Sequence, residues 1–123
     1  MKYNQKLLNE IDKFKEYIII VEGKKDVQTL KSLGFEKVYA IHLTGVSLRE
    51  RVEQIMPFVE KKDRVCILTD LDKRGKQLYE TLKPIFQELG ARLDSTFRGI
   101  LIKSRVSHIE GLSSFMSKID NIQ

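Results

Sequence analysis

The chain has 123 residues, 41% of them hydrophobic and 32% charged, with 22 Lys and Arg against 17 Asp and Glu. This length suits one domain and leaves no room for a second core. No apolar run approaches the roughly 20 residues of a membrane span, and the polar start Met1-Lys2-Tyr3-Asn4-Gln5-Lys6 lacks the apolar segment of a secretory signal, so a cytoplasmic protein is expected. The net charge of +5 favours an anionic partner, of which nucleic acid is the commonest. With no tryptophan and 8% aromatic content, contact with a phosphate backbone is expected rather than a base-stacking platform.

Leu7, Leu8, Ile11 and Phe14 recur at helical spacing and predict an amphipathic lead-in helix over 6–15. Tyr17-Ile18-Ile19-Ile20-Val21 is a β-branched run without polar alternation, the pattern of a strand buried on both faces. It ends in Glu22-Gly23, and a helical segment over 24–33 follows and stops at Gly34. Residues 37–43 read as another strand, left through a Thr44-Gly45 turn. Ser47 and Glu50 form a capping box for a helix over 48–60, which Pro57 kinks or shortens.

Residues 64–68 predict a second buried strand, with Cys66 inside it as a small core hydrophobe. A lone cysteine has no partner for a disulfide or a zinc cluster. The strand runs into Thr69-Asp70-Leu71-Asp72-Lys73-Arg74-Gly75, and Leu78, Leu82, Ile85, Phe86 and Leu89 place a helix over 76–89, closed by Gly90. Residues 92–95 and 96–103 are expected to form one bent strand or two, with Ile100, Leu101 and Ile102 the most strand-like part. Ser107 to Leu112 then forms a turn before a short helix over 113–119. Strands alternating with helices predict an α/β fold, an open sheet of about four mostly parallel strands with helices on both faces.

Open sheets of this kind bind ligands outside the carboxyl ends of their strands. Glu22 and the pair Asp70 and Asp72 occupy two such ends, so three carboxylates distant in sequence are expected to meet at one edge. Asp70 and Asp72, two apart, can point the same way and repel unless a cation lies between them, and hard oxygen ligands suit Mg²⁺. Lys24, Lys73, Arg74 and Lys76 flank the acids and can neutralise phosphate oxygens, an arrangement suited to phosphodiester chemistry. Taken alone, an Asp-x-Asp before a helix is also the mark of a solvated strand end with a helix cap.

Glu22-Gly23 after one apolar strand, with Asp70-Leu71-Asp72 and Gly75 after a later one, resembles the Toprim domain of topoisomerases, bacterial-type primases, overcoming-lysogenization-type nucleases and the nuclease that matures 5S ribosomal RNA. The likeness spans about 17–102 and is greatest to small stand-alone Toprim proteins of archaea and bacteria. It therefore implies a single Rossmann-like Toprim domain over 1–123. Asp26 in Glu-Gly-x-x-Asp and the Thr44-Gly45 turn agree with that subgroup.

The resemblance implies Glu22 as general acid or base and as a contributor to the metal site, Asp70 and Asp72 as Mg²⁺ ligands with Mn²⁺ as an alternative, and Gly23, Asp26, Thr44, Gly45 and Gly75 in support. It departs from the family where many relatives carry a further acid after the Asp-x-Asp pair, since Lys73, Arg74 and Lys76 stand there. No nucleophilic tyrosine is evident, because Tyr3, Tyr17, Tyr39 and Tyr79 fall in expected elements or at the terminus.

Asp26 equally suits a helix cap, His42 a strand-end position, and Lys103, Arg105 and His108 an extended basic surface. Two functions follow: a Mg²⁺-dependent nuclease or phosphodiester-transfer domain acting on RNA or structured nucleic acid, RNA more than DNA, or a non-catalytic module docking RNA within a larger RNA-processing or ribosome-associated assembly. A small-phosphate enzyme is disfavoured by the absence of Gly-x-x-x-x-Gly-Lys-Ser/Thr.

Overall fold

The computed structural model describes residues 5–105 and 107–112. Four strands, β1 (Ile18–Val21), β2 (Val38–Ala40), β3 (Arg64–Ile67) and β4 (Arg92–Leu93), pair in the order β2-β1-β3-β4, each neighbour parallel. All four β1 side chains are buried, and the strand's period of two divides them between two cores. Ile18 and Ile20 pack with Val65 and Ile67 of β3 on one face, while Ile19 and Val21 pack with Cys66 and Leu68 on the other. Each such isoleucine contributes about 1.5–3 kcal/mol relative to an exposed one, and this is why an apolar run without alternation folds as an inner strand.

The helices are α1 (Gln5–Asp12), α2 (Lys24–Ser32), α3 (Leu48–Ile55), α4 (Lys73–Glu88) and α5 (Thr96–Lys103), with 3₁₀ turns at Lys13–Glu16, Met56–Phe58 and Ile109–Gly111. Ile11 of α1, Leu30 of α2, and Phe97 and Leu101 of α5 cover the Cys66 face. Val52 and Ile55 of α3, with Leu82 and Phe86 of α4, cover the other. The chain steps outward from β1 to β2 over one face and returns past β1 to β3 over the opposite one, so its crossovers share one hand, as right-twisted strands require. The direction of winding therefore reverses between β1 and β3, which opens a crevice at their carboxyl ends.

Several elements differ from the sequence expectation. β2 is three residues long instead of spanning 37–43, yet its pairing with β1 continues as Ile41 N–H donates to Val21 O (2.8 Å) and His42 N–H to Glu22 O (3.1 Å). Ser47 caps α3 by accepting from Glu50 N–H (3.1 Å), and the helix gives way at Met56 to a 3₁₀ turn containing Pro57. α4 begins at Lys73, ahead of the expected start, because the Asp72 side chain caps it.

The largest correction concerns residues 96–103, which form a helix and not a strand. Asp94 Oδ1 accepts the Thr96 N–H (2.9 Å) and turns the chain out of β4. Phe97 and Leu101, one helical turn apart, then both reach the core, where the Phe97 ring stacks on Phe14 (4.9 Å between centroids) and Phe35 (5.5 Å). Aromatic packing overrides the β propensity of Ile100 and Ile102. The helix expected over 113–119 lies outside the described residues.

Candidate functional site

Glu22 follows β1 and Asp70 follows β3, and the two meet. Glu22 Oε2 accepts the backbone N–H of Asp70 at 2.9 Å. Asp70 Oδ1 in turn accepts the Ile109 N–H (2.9 Å), and Asp72 Oδ1 accepts the Gly75 N–H (2.8 Å) as the N-cap of α4. Each of the three carboxylates thus spends one oxygen on a backbone N–H, which fixes its orientation. Among the described residues, no hydrogen bond or ion pair takes the second oxygen of Glu22 or Asp70, and the second oxygen of Asp72 lies 3.2 Å from His108 Nε2. The Gly75 N–H above all holds the Asp72 carboxyl below the usual range; desolvation opposes it, and His108 and Arg74 add to the lowering.

The loop that carries these acids is braced from beneath. Arg98 of α5 is buried, and its Nη1 donates to Thr69 O (2.6 Å) and to Thr69 Oγ1 (3.1 Å) while Nη2 donates to Asp70 O (3.2 Å). Its guanidinium also lies 4.5 Å from the centre of the Tyr79 ring. Burial pulls the Arg98 pKa below the ordinary value, opposed by Tyr79, Cys66, Glu22 and Asp70. Thr69 Oγ1 donates to Gly75 O (2.7 Å), clamping the start of α4 to the end of β3. Gly75 allows this approach because a Cβ there would lie 1.9 Å from Asp70 O.

Glu22, Lys24, Lys25, His42, Asp70 and His108 line an open crevice of about 410 Å³, with Gly23 and Asp26 completing its wall. Asp26 is buried and accepts weakly from Gly23 N–H (3.4 Å) at the start of α2, so it acts in capping. Lys73 and Arg74 are exposed in the first turn of α4. Lys76 lines a separate groove with Tyr79, Arg98 and Ile102. Thr44 and Gly45 form the expected turn, with Gly45 at φ +78°, but do not line the crevice.

One ligand atom from each of Asp70, Asp72 and His108 lies within 4.8 Å of the others. Oriented carboxylates, with one oxygen of Glu22 and of Asp70 unengaged among the described residues and the second oxygen of Asp72 facing His108, form a donor set that fits a hard divalent cation. Three participants are not evident from sequence. Arg98 is signalled only as the lone cation within an apolar stretch, Thr69 as the polar end of a buried strand, and His108, read there as part of a basic surface, by nothing beyond its own chemistry.

An all-parallel open sheet with an acidic crevice at its switch point defines a Rossmann-like α/β protein. The Toprim domain family matches residues 17–104, and the chain belongs to it. It is 32% identical to a UPF0292 protein of Methanocaldococcus jannaschii, in an alignment covering 95% of this chain and 94% of that one. A Ribonuclease M5 of Mesoplasma florum is 35% identical over 65 residues, covering 53% of this chain and 37% of that protein. A solved structure of a protein from Aquifex aeolicus matches with a TM-score of 0.69 and 30% identity, covering 85% of this chain and 94% of that one. No helix among the described residues is long and apolar enough to cross a membrane.

Proposed function

We propose that this chain acts as a single Toprim domain that processes nucleic acid with Mg²⁺ or Mn²⁺, as a nuclease on RNA or structured nucleic acid. The observation that carries the reading is the set of three carboxylates at the β1 and β3 ends, each oriented by one backbone N–H. The likeness to a Ribonuclease M5 over about half of the chain supports RNA over DNA.

Asp70 and Asp72, with Glu22 beside them, would hold the ion, which when bound supplies positive charge for phosphate oxygens. Glu22 uses its unbonded oxygen to take a proton from the attacking water or return one to the leaving oxygen. Lys24 at the crevice, with Lys73, Arg74 and Lys76 on the first turns of α4, draws the phosphate backbone toward the acids.

The test incubates the protein with labelled single-stranded, duplex and stem-loop RNA and DNA in Mg²⁺, Mn²⁺ or EDTA, with Glu22→Gln alongside. Metal-dependent cleavage lost in Glu22→Gln is the expected result. Cleavage that survives the substitution excludes Glu22 as the proton-transfer group. Salt-sensitive binding without cleavage, unchanged in Asp70→Asn, would instead support RNA docking within a larger assembly, for which the exposed cations of α4 suffice.

A further inference from the structure

The segment after α5 returns to the carboxyl edge and brings a nitrogen to it. Leu71 N–H donates to Ser107 O (2.7 Å) and Ile109 N–H to Asp70 Oδ1 (2.9 Å), so the backbone is fastened on both sides of His108. The His108 ring is not needed for that fastening. Its Nε2 nevertheless lies 3.2 Å from Asp72 Oδ2, and its Nδ1 lies 2.9 Å from Ser107 Oγ.

We propose that His108 is a further protein ligand of the cation held by Asp70 and Asp72 with Glu22 beside them, and that its imidazole biases the site toward Mn²⁺ over Mg²⁺. This rests on the metal reading above. Two ligand atoms about 2.1 Å from one octahedral ion stand about 3.0 Å apart when adjacent and about 4.2 Å apart when opposite. The 3.2 Å between His108 Nε2 and Asp72 Oδ2 matches the adjacent spacing, and the three ligand atoms lie within 4.8 Å of one another, so closing round one ion takes a movement of no more than about 0.6 Å. Asp70 and Asp72 each have one oxygen engaged by backbone, so the pair alone offers few ligand atoms and His108 adds one.

Imidazole suits first-row transition metals, whereas Mg²⁺ prefers oxygen throughout, and among those metals Mn²⁺ is the one suited to carboxylate and water ligands. Ser107 supplies the orienting contact that metal-bound histidines require. Its hydroxyl can donate to Nδ1 while Nε2–H faces Asp72, and can accept from Nδ1–H when the ion takes the place of the Nε2 proton.

The experiment titrates the full chain with Mn²⁺, reads the bound ion by electron paramagnetic resonance, and uses pulsed spectra to detect nitrogen bonded to it. Mg²⁺ affinity is obtained by competition. Nitrogen coupling is expected in the unsubstituted chain and in His42→Ala, the other crevice imidazole, and is expected to be absent in His108→Ala. In that variant the preference for Mn²⁺ over Mg²⁺ falls about tenfold. His108→Asp restores binding without nitrogen coupling and shifts the preference toward Mg²⁺. Circular dichroism checks the fold, and His108→Asn carries the same test if the alanine variant does not fold.

Mn²⁺ binding without nitrogen coupling, or coupling that persists without His108, overturns the assignment of His108 and leaves the Asp70 and Asp72 site standing. Mn²⁺ binding unchanged in both Asp70→Asn and Asp72→Asn, or none at millimolar Mn²⁺, overturns the metal reading itself.

Discussion

Glu22 Oε2 and the backbone N–H of Asp70 lie 2.9 Å apart across 48 positions of sequence, and this bond joins the end of β1 to the end of β3. Because Glu22 is an acceptor here, its charge and its structural role can be separated. Glu22→Gln keeps a carbonyl oxygen able to accept the Asp70 N–H, so stability should stay within about 0.5 kcal/mol of the parent while the proton transfer proposed for Glu22 should be lost. Glu22→Ala removes the acceptor and should cost about 1–3 kcal/mol. Urea denaturation of the three proteins compares them. A glutamine variant as unstable as the alanine variant would show that the negative charge, not the acceptor, secures this edge.

Two glycines make opposite predictions. At Gly75 a Cβ would sit 1.9 Å from Asp70 O, a backbone atom that cannot swing aside. Gly75→Ala must displace the first turn of α4, breaking the Asp72 cap and the Thr69 bond, and should cost about 3 kcal/mol or more. Gly99 lies inside α5 with nothing within 4 Å of where a Cβ would be, so Gly99→Ala should stabilise by about 0.5–1 kcal/mol through helix propensity. Denaturant midpoints distinguish them, and equal effects would contradict the close contact at Gly75.

Arg98 couples the inner core to the acidic loop. Its guanidinium meets two carbonyls at once, Thr69 O and Asp70 O, which the single ammonium of lysine cannot span in the same way. Arg98→Met leaves those carbonyls without their donor and should cost about 3 kcal/mol. Arg98→Lys should recover less than half of the loss, and both variants should weaken Mn²⁺ binding at the proposed site because the Asp70 loop loses the brace on its carbonyl, although Glu22 and the Ile109 N–H still hold Asp70. Thermal melts with and without Mn²⁺ test this, and full recovery by lysine would mean that charge alone matters at this position.

The placement of Glu22, Asp70 and Asp72 is legible in the sequence because two unbroken β-branched runs locate the carboxyl ends of inner strands, where open sheets gather their ligands. The partners of these acids are not legible, because their contacts are remote. His108 reaches Asp72 across 36 positions and Arg98 reaches Thr69 across 29, and no local periodicity encodes either. The strand expected around Ile100-Leu101-Ile102 fails for a related reason. A short apolar run fits a buried strand or a buried helix equally, and the choice falls to Phe97, whose ring packs on Phe14 and Phe35 only if the segment coils. Asp72 bears out the helix-cap reading of its motif with one oxygen and faces His108 with the other, where the metal reading is a proposal.

Cys66 provides a pH test of the central strand. Burial, foremost, with Asp94 nearby, pushes its thiol up to about 12 from an ordinary 9.0, while Arg98 opposes the shift. In the unfolded chain the thiol ionises near its ordinary value, so between those values the unfolded state binds fewer protons than the folded state. Raising the pH in that window therefore favours unfolding. The stabilising contribution of the protonated thiol is complete below about pH 9 and is lost as pH rises toward 12. Cys66→Ala has no thiol to titrate, so the stability difference between parent and variant should narrow by about 2 kcal/mol from pH 8 to pH 10.5. Urea unfolding at the two pH values measures this, and a thiol reagent at pH 8 should label the parent only after denaturation. Rapid labelling of the folded chain, or a difference that does not change with pH, would place Cys66 in contact with water and contradict its burial between the sheet and α5.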